Sequence, residues 1–226
     1  KDEISKALLR GIHAEGKSKA TAEKRIKFLK MFLNYCVRKG WASINVMDKV
    51  TLGMSSTISD RAPRIQPETI QKIVSKGLAS ESLFDKCMVV TALATGVRQG
   101  ELRALNWSNI DFQNNLINVE GAVKHGTLKI GAPKTKRGKR SIPVDQVTMN
   151  QLKQLRLQSR FSSDYDLVFA SANGTPKMQK MLDKLIRRVC EAAGVDRILW
   201  GDMRHFYASV QLSSLGEDWS TVAALM

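Results

Sequence analysis

The sequence predicts a mostly α-helical protein with a small antiparallel sheet: an α+β domain behind an all-α N-terminal unit. Three observations carry that prediction. Apolar residues recur at helical spacing through residues 1–47 and through most of 67–94 and 145–216. Between residues 116 and 144 the period shortens to strand-like alternation. From Gly53 to Gln66 no hydrophobic period survives, which marks a linker. The expected division is a helical unit at 1–52, a linker at 53–66 and the α+β unit at 67–226.

Ile4, Leu8, Leu9 and Ile12 form the first helical stripe, closed by Gly16. Ser18 is placed to cap a second helix running to Gly40, with Ala22, Ile26, Leu29, Leu33 and Cys36 on its apolar face. Lys24, Lys27 and Lys30 lie off that face; they suit either a solvated helix surface or contact with a polyanion. Trp41, Ile44 and Met47 predict a short closing helix. In the linker, Arg61 and Arg64 bracket Pro63 and make the segment basic.

Pro67 opens the next helix at its first turn, followed by Ile70, Ile73 and Val74. The helix at Phe84–Ala94 contains the apolar run from Met88, and Gly96 supplies the left-handed residue that ends it. Arg98 then stands at or just before the first turn of another helix, with Glu101 three residues on. Strands are expected at 116–119, 128–130 and 140–144. The last two are expected to flank a hairpin whose tip is Pro133-Lys134-Thr135-Lys136-Arg137-Gly138-Lys139. A helix follows at about 145–160, a strand at 167–169, and a helix opened by Thr175-Pro176 with Met178, Leu182, Leu185 and Val189 inside. Asp202 is placed to cap the next helix, which puts Arg204 in its first turn. Gly216 ends that helix, and Asp218 or Ser220 starts another.

The charge narrows the partner. The 226 residues carry 36 Lys and Arg against 21 Asp and Glu, a formal net charge of +15, which implies a polyanion. No signal peptide is visible, and no apolar run approaches the roughly 18 residues of a membrane span. Nucleic acid therefore leads over a membrane surface. Between Glu120 and Asp145 there is no acidic residue, yet Lys124, Lys129, Lys134, Lys136, Arg137, Lys139 and Arg140 all fall there. That much unneutralised charge asks for an anion against it. Cys36, Cys87 and Cys190 are widely spaced in apolar helical patterns, which suits buried, reduced thiols. His13, His125 and His205 share no metal-ligand spacing, so no metal and no cofactor is expected. The chain starts at Lys1 and stops at Met226 inside an opening helix, which reads as a piece of something longer.

Two arginines at helix starts and a lysine on a basic hairpin suit the gripping of a phosphodiester. Guanidinium forks hold the non-bridging oxygens and stabilise the charge of a pentavalent transition state. A lysine can protonate the leaving 5′ oxygen. The order Thr95-Gly96-x-Arg98-x-Gly100-Glu101-Leu102, then a lysine-bearing hairpin, then Arg204-His205, resembles the tyrosine recombinases of the phage-integrase family. The resemblance covers nearly the whole chain. It implies a SAM-like helical core-binding domain followed by the catalytic domain. It implies that Arg98 and Arg204 are the catalytic arginines, Lys134 the catalytic lysine with Lys136 as the alternative, and Glu101 a brace for the arginine corner. Lys24, Lys27, Lys30, Arg61, Arg64, Lys136, Arg137, Lys139 and Arg140 are the expected DNA contacts. The implied partners are double-stranded DNA, further copies in a tetramer, and accessory DNA-bending proteins, in a bacterial cytoplasm or nucleoid.

Two departures stand out. The family's usual His three residues before the second arginine is Gly201 here, and His205 follows that arginine instead. The family's tyrosine nucleophile and its last His or Trp are expected beyond Met226. Tyr207 reads as core, and Tyr35 and Tyr165 have no better claim. The rival readings are a catalytically decayed DNA-binding protein on the same scaffold and, more remotely, a type IB topoisomerase.

Overall fold

The computed structural model describes residues 19–48, 65–124, 126–131, 138–213, 216 and 221–222. The chain divides into two compact units, Lys1–Asp60 and Arg61–Met226. In the first, helix α1 spans Lys19–Arg38. Its inner face is Ile26 and Cys36, with Leu33 half-buried; Ile26 packs against Met47. Leu29, expected on that face, is exposed instead. The predicted helix at Trp41–Met47 is a series of turns. Asn45 organises them: its Nδ2 donates to the Lys30 carbonyl and to Asn34 Oδ1, and its Oδ1 accepts from the Met47 N–H. Trp41 and Ile44 are left exposed, so only Met47 of that stripe has a core to face.

The second unit is built around α3, Leu83–Thr95. Ser82 caps it by accepting from the Asp85 N–H, and Gly96 ends it with a left-handed φ of 59°. Cys87, Met88, Val89, Thr91, Ala92 and Thr95 are buried, so the helix is enclosed on most sides. Against it pack α5, Gln146–Gln158, through Met149, Leu152 and Leu155, and α7, Trp200–Ser213, through Met203 and Tyr207. Helix α2, Pro67–Lys72, has its proline at the first turn and runs on into a π-helical turn, Ile73–Gly77. That turn packs on α6, Gln179–Ala193, whose Leu182, Leu185, Ile186, Val189, Cys190 and Ala193 form one apolar stripe. The short α4, Gln99–Leu102, lies between α3 and the sheets.

The strands form two sheets. β1 (Ile110–Asp111), β2 (Leu116–Val119) and β5 (Arg140–Pro143) make an antiparallel sheet in the order β1-β2-β5. Ile117 pairs with Ile142 and Val119 with Arg140, which turns Ile117, Val119 and Ile142 into the core. β3 (Ala122–Val123) and β4 (Ile130–Gly131) make a separate hairpin. The expected pairing of 128–130 with 140–144 is therefore replaced: the first pairs with β3 and the second with β2. The basic segment 132–137 joins the two sheets, and it lies outside the described residues.

Three further boundaries differ from the sequence reading. Residues 167–169 are not a strand; Leu167 makes a single bridge to Asn106, and the segment is held by Trp107 N–H to the Asp166 carbonyl and Val168 N–H to the Leu105 carbonyl. Pro176 bridges Ala170 and does not open α6, and Met178 caps that helix half-exposed. Asp202 lies inside α7, where its Oδ2 accepts from the Leu199 N–H; it braces the helix start from the first turn and does not precede it.

Candidate active site

The left-handed turn at Gly96 fixes where the chain goes after α3. Two residues on, Arg98 is the N-cap of α4, in extended conformation. Glu101, three residues further, reaches back: its Oε2 accepts from the Arg98 N–H at 2.9 Å and its Oε1 from Arg98 Nη1 at 3.0 Å. The Arg98 side chain keeps 61% of its surface exposed while Glu101 keeps 7%. An arginine anchored by Glu101 with most of its side chain still exposed can present a fork to a phosphate.

Arg140 corrects the sequence reading. Expected as a DNA contact, it is buried beneath the corner, with Nη2 on Glu101 Oε2 at 2.7 Å and Nη1 on Oε1 at 3.3 Å. The signal was in the alternation of β5: Arg140 shares parity with Ile142 and Val144, both inward. Burial raises the Glu101 carboxyl, but the Arg140 hydrogen bond, the Arg98 N–H, the Arg140 charge and the Arg98 side-chain hydrogen bond outweigh it, leaving the group below its ordinary value.

Arg204 reaches the same corner from α7. It sits in the second turn of the helix, not the first as expected, and its Nη1 donates to the Gly96 carbonyl at 2.6 Å. Burial, followed by the Arg98 charge, lowers its guanidinium to about 10; Glu101 opposes that fall and Arg140 adds to it. It remains a cation at neutral pH, and an anion between Arg98 and Arg204 would relieve their mutual repulsion. Two guanidiniums thus hold the Glu101 carboxylate, and a third, Arg204, is held at the adjoining Gly96 carbonyl. The chemistry of that set is anion capture, in a form that two exposed lysines would not give.

The two ends of the basic segment abut this corner. β3 passes so close to α4 that a Cβ on Gly100 would lie 2.9 Å from the Val123 carbonyl oxygen. β4 pairs with β3, and Arg140 opens β5. Lys134, Lys136 and Arg137 lie in the segment between and, like Arg61 and Arg64, fall outside the described residues. Lys139 is exposed, as are Lys24 and Lys27; Lys30 is half-buried. His205 is exposed one position after Arg204, about 100° round the helix from it. Gly201 lies one turn before Arg204 on the same face, exposed, with no atom within 4 Å of where a Cβ would be. Tyr207 is in the core against Gly96, while Tyr165 and Tyr35 are exposed. Among the described residues no group of His, Cys, Asp or Glu is arranged to hold a metal, and no helix is long and apolar enough to cross a membrane.

Residues 63–226 match the model of the phage integrase family. The chain belongs to this family of tyrosine recombinases. Among curated relatives of this integrase-family chain is a XerC-like tyrosine recombinase of Caldanaerobacter subterraneus subsp. tengcongensis, 28% identical over 95% of this chain. The chain spans 61% of that relative's length. The prophage integrase IntR of Escherichia coli strain K12 is 24% identical over 91% of the chain and 46% of its own length. Among solved structures, the Tn1549 transposon integrase in complex with circular intermediate DNA superposes with a TM-score of 0.80 at 18% identity, covering 100% of this chain and 76% of that one. A lambda integrase tetramer bound to a Holliday junction gives a TM-score of 0.70 at 19% identity, covering 99% of this chain and 62% of that one. Both share the integrase fold, a helical domain with a small antiparallel sheet.

Proposed function

We propose that this chain grips double-stranded DNA and activates one phosphodiester for a site-specific recombinase, which integrates or excises a phage or mobile element. The observation that carries the proposal is the meeting of Arg98 and Arg204, from separate helices, at the Gly96–Glu101 corner. In the proposed reaction a tyrosine oxygen attacks phosphorus between the two guanidiniums. The P–O5′ bond breaks, Lys134 gives its proton to the departing 5′ oxygen, and a 3′-phosphotyrosine remains. A 5′ hydroxyl of a partner strand then attacks that ester and releases the tyrosine. Arg98 and Arg204 act by holding the non-bridging oxygens as charge grows on them. Tyr207 packs in the core, and we assign the nucleophile, as the resemblance to the family implies, to a tyrosine beyond Met226. Residues 1–52 serve as a helical DNA-binding domain and 53–66 as its basic linker, with Lys24, Lys27, Arg61 and Arg64 on phosphates. The working assembly is a tetramer on two DNA sites, with accessory DNA-bending proteins among its partners, in the bacterial cytoplasm or nucleoid.

One observation favours a second reading. The open space at Gly201, beside Arg204, holds no imidazole, as a scaffold that binds DNA without cutting it would show.

The test uses the full-length protein on a nicked duplex carrying its recombination site. A covalent protein–DNA adduct should form, and Arg98→Ala or Arg204→Ala should slow it by about 100-fold or more. Lys134→Ala should slow it comparably and recover when sulfur replaces the leaving 5′ oxygen, whereas Lys136→Ala should lower affinity with little loss of rate. The 226-residue chain alone should bind without forming an adduct. With roughly six phosphates neutralised, log K should fall against log salt with a slope near −5. Tight, salt-dependent binding with no adduct from the full-length protein would favour the decayed scaffold. An affinity indifferent to salt would sink both readings.

A further inference from the structure

Phosphate capture accounts for Arg98 and Arg204 but not for the third guanidinium beside them. Arg140 keeps only 5% of its side chain exposed and lies under Glu101, which keeps 7%. An anion that reaches Arg98 from solvent does not reach Arg140. Its fork instead takes both carboxylate oxygens of Glu101, at 2.7 and 3.3 Å, and its Nη1 also donates to the Gly138 carbonyl at 3.3 Å. A two-point grip fixes the plane of a carboxylate as well as its place. The same two oxygens, on their other side, hold the main-chain N–H and the Nη1 of Arg98. Arg98 is therefore aimed by a carboxylate whose own direction Arg140 sets.

Charge points the same way. A carboxylate shared with Arg98 alone would be its counter-ion and would offset the charge offered to an incoming phosphate. With Arg140 beneath it, Glu101 is already neutralised by a buried partner, and Arg98 can be held without being discharged. The placement of Arg140 in the chain adds a link, since it opens β5 directly after the basic segment and its neighbour Gly138 is tied to it.

We propose that Arg140 is a positioning residue: through Glu101 it aims Arg98 at the phosphodiester and keeps the Arg98 charge available to it. This rests on the recombinase reading above, and the experiment separates the two.

The experiment is a double-mutant cycle of Arg98→Ala and Arg140→Met, read on two quantities. The first is the salt slope of duplex DNA binding by the 226-residue chain. The second is the rate of adduct formation by the full-length protein. Each single substitution should flatten the slope by about one unit, as the loss of one phosphate contact does, and the pair should flatten it by about one unit and no more. Each should slow adduct formation by about 100-fold, with little further loss in the pair. A slope loss near two units in the pair would make Arg140 an independent phosphate contact and overturn the proposal. So would an unchanged slope in Arg140→Met. Because Arg140→Met strands the Glu101 carboxylate, Glu101→Leu/Arg140→Met is measured beside it, with the buried charge removed from both sides. Folded by circular dichroism, that variant should lose the same single unit; a wild-type slope there also overturns the proposal. If the unsubstituted full-length protein forms no adduct, the recombinase reading fails, and the slope cycle still decides the role of Arg140.

Discussion

At Gly96 the backbone turns left-handed, with φ at 59°, directly under the Tyr207 ring. A Cβ there would lie 2.6 Å from Tyr207 Cδ1. Gly96→Ala thus combines backbone strain with overpacking, and should cost about 2–4 kcal/mol in denaturant unfolding. Gly201 is the opposite case. It is helical, exposed and surrounded by open space, so Gly201→Ala should stabilise by up to about 1 kcal/mol. Equal responses at the two glycines would mean that the corner is not packed as described. Glu101 makes a prediction in pH. Its folded-state carboxyl lies below its ordinary value, because its arginine partners outweigh burial. A depressed acid contributes stability that is fully present above its unfolded value of about 4.3 and is lost as pH falls through the folded one. Stability should therefore drop below about pH 4. Glu101→Gln, which has no charge to lose, should show a shallower fall over the same window. Identical slopes in the two proteins would assign the acid loss to other groups.

Among the elements, the π-helical turn and α6 meet with main chain close to main chain. Gly77 ends that turn, and a Cβ on it would meet the Val189 carbonyl oxygen at 2.5 Å and the Val189 Cγ1 at 2.9 Å. Neither can swing away, since both belong to the buried stripe of α6. Gly77→Ala should therefore push the turn off α6 and cost about 1–3 kcal/mol, read as a lower unfolding midpoint with an unchanged m-value. A second fastening nearby keeps α6 in place: Arg188 holds Glu81 with two bonds, at 2.7 and 2.6 Å, just before α3 begins. The loss at Gly77 should accordingly stay local, leaving DNA affinity within about threefold of wild type, because the Gly96 corner lies on other elements.

Across the whole molecule, what the sequence made legible follows from what each pattern encodes. The stripes of α3 and α6 and their closing glycines, Gly96 and Gly194, were readable because helix periodicity and left-handed caps are local. Strand partners were not, since alternation tells which residues face inward and is silent about the neighbour. Hence β4 and β5 were joined in one hairpin, when each belongs to a different sheet. At the corner, the spacing of Arg98 and Glu101 was plain, but the part played by Arg140 depends on a tertiary partner 39 residues away. Its inward parity with Ile142 was visible, yet the abundance of basic neighbours drew it into the surface charge. Asp202 could brace a helix from its N-cap or from its first turn, and only the fold chose between them.

The separate sheets on either side of residues 132–137 have a consequence for how such a protein can vary. Gly131 is held by Ala122 and Arg140 by Val119, so each end of the segment is anchored without help from the other. Closing a longer loop between fixed ends costs little, about 0.6 kcal/mol for each doubling in length. Residues 132–137, apart from Lys134, the proposed proton donor, can therefore be exchanged as a cassette. A donor segment of different length or charge that keeps this lysine could be grafted there to retune which DNA is preferred, with the arginine corner beneath left as it is.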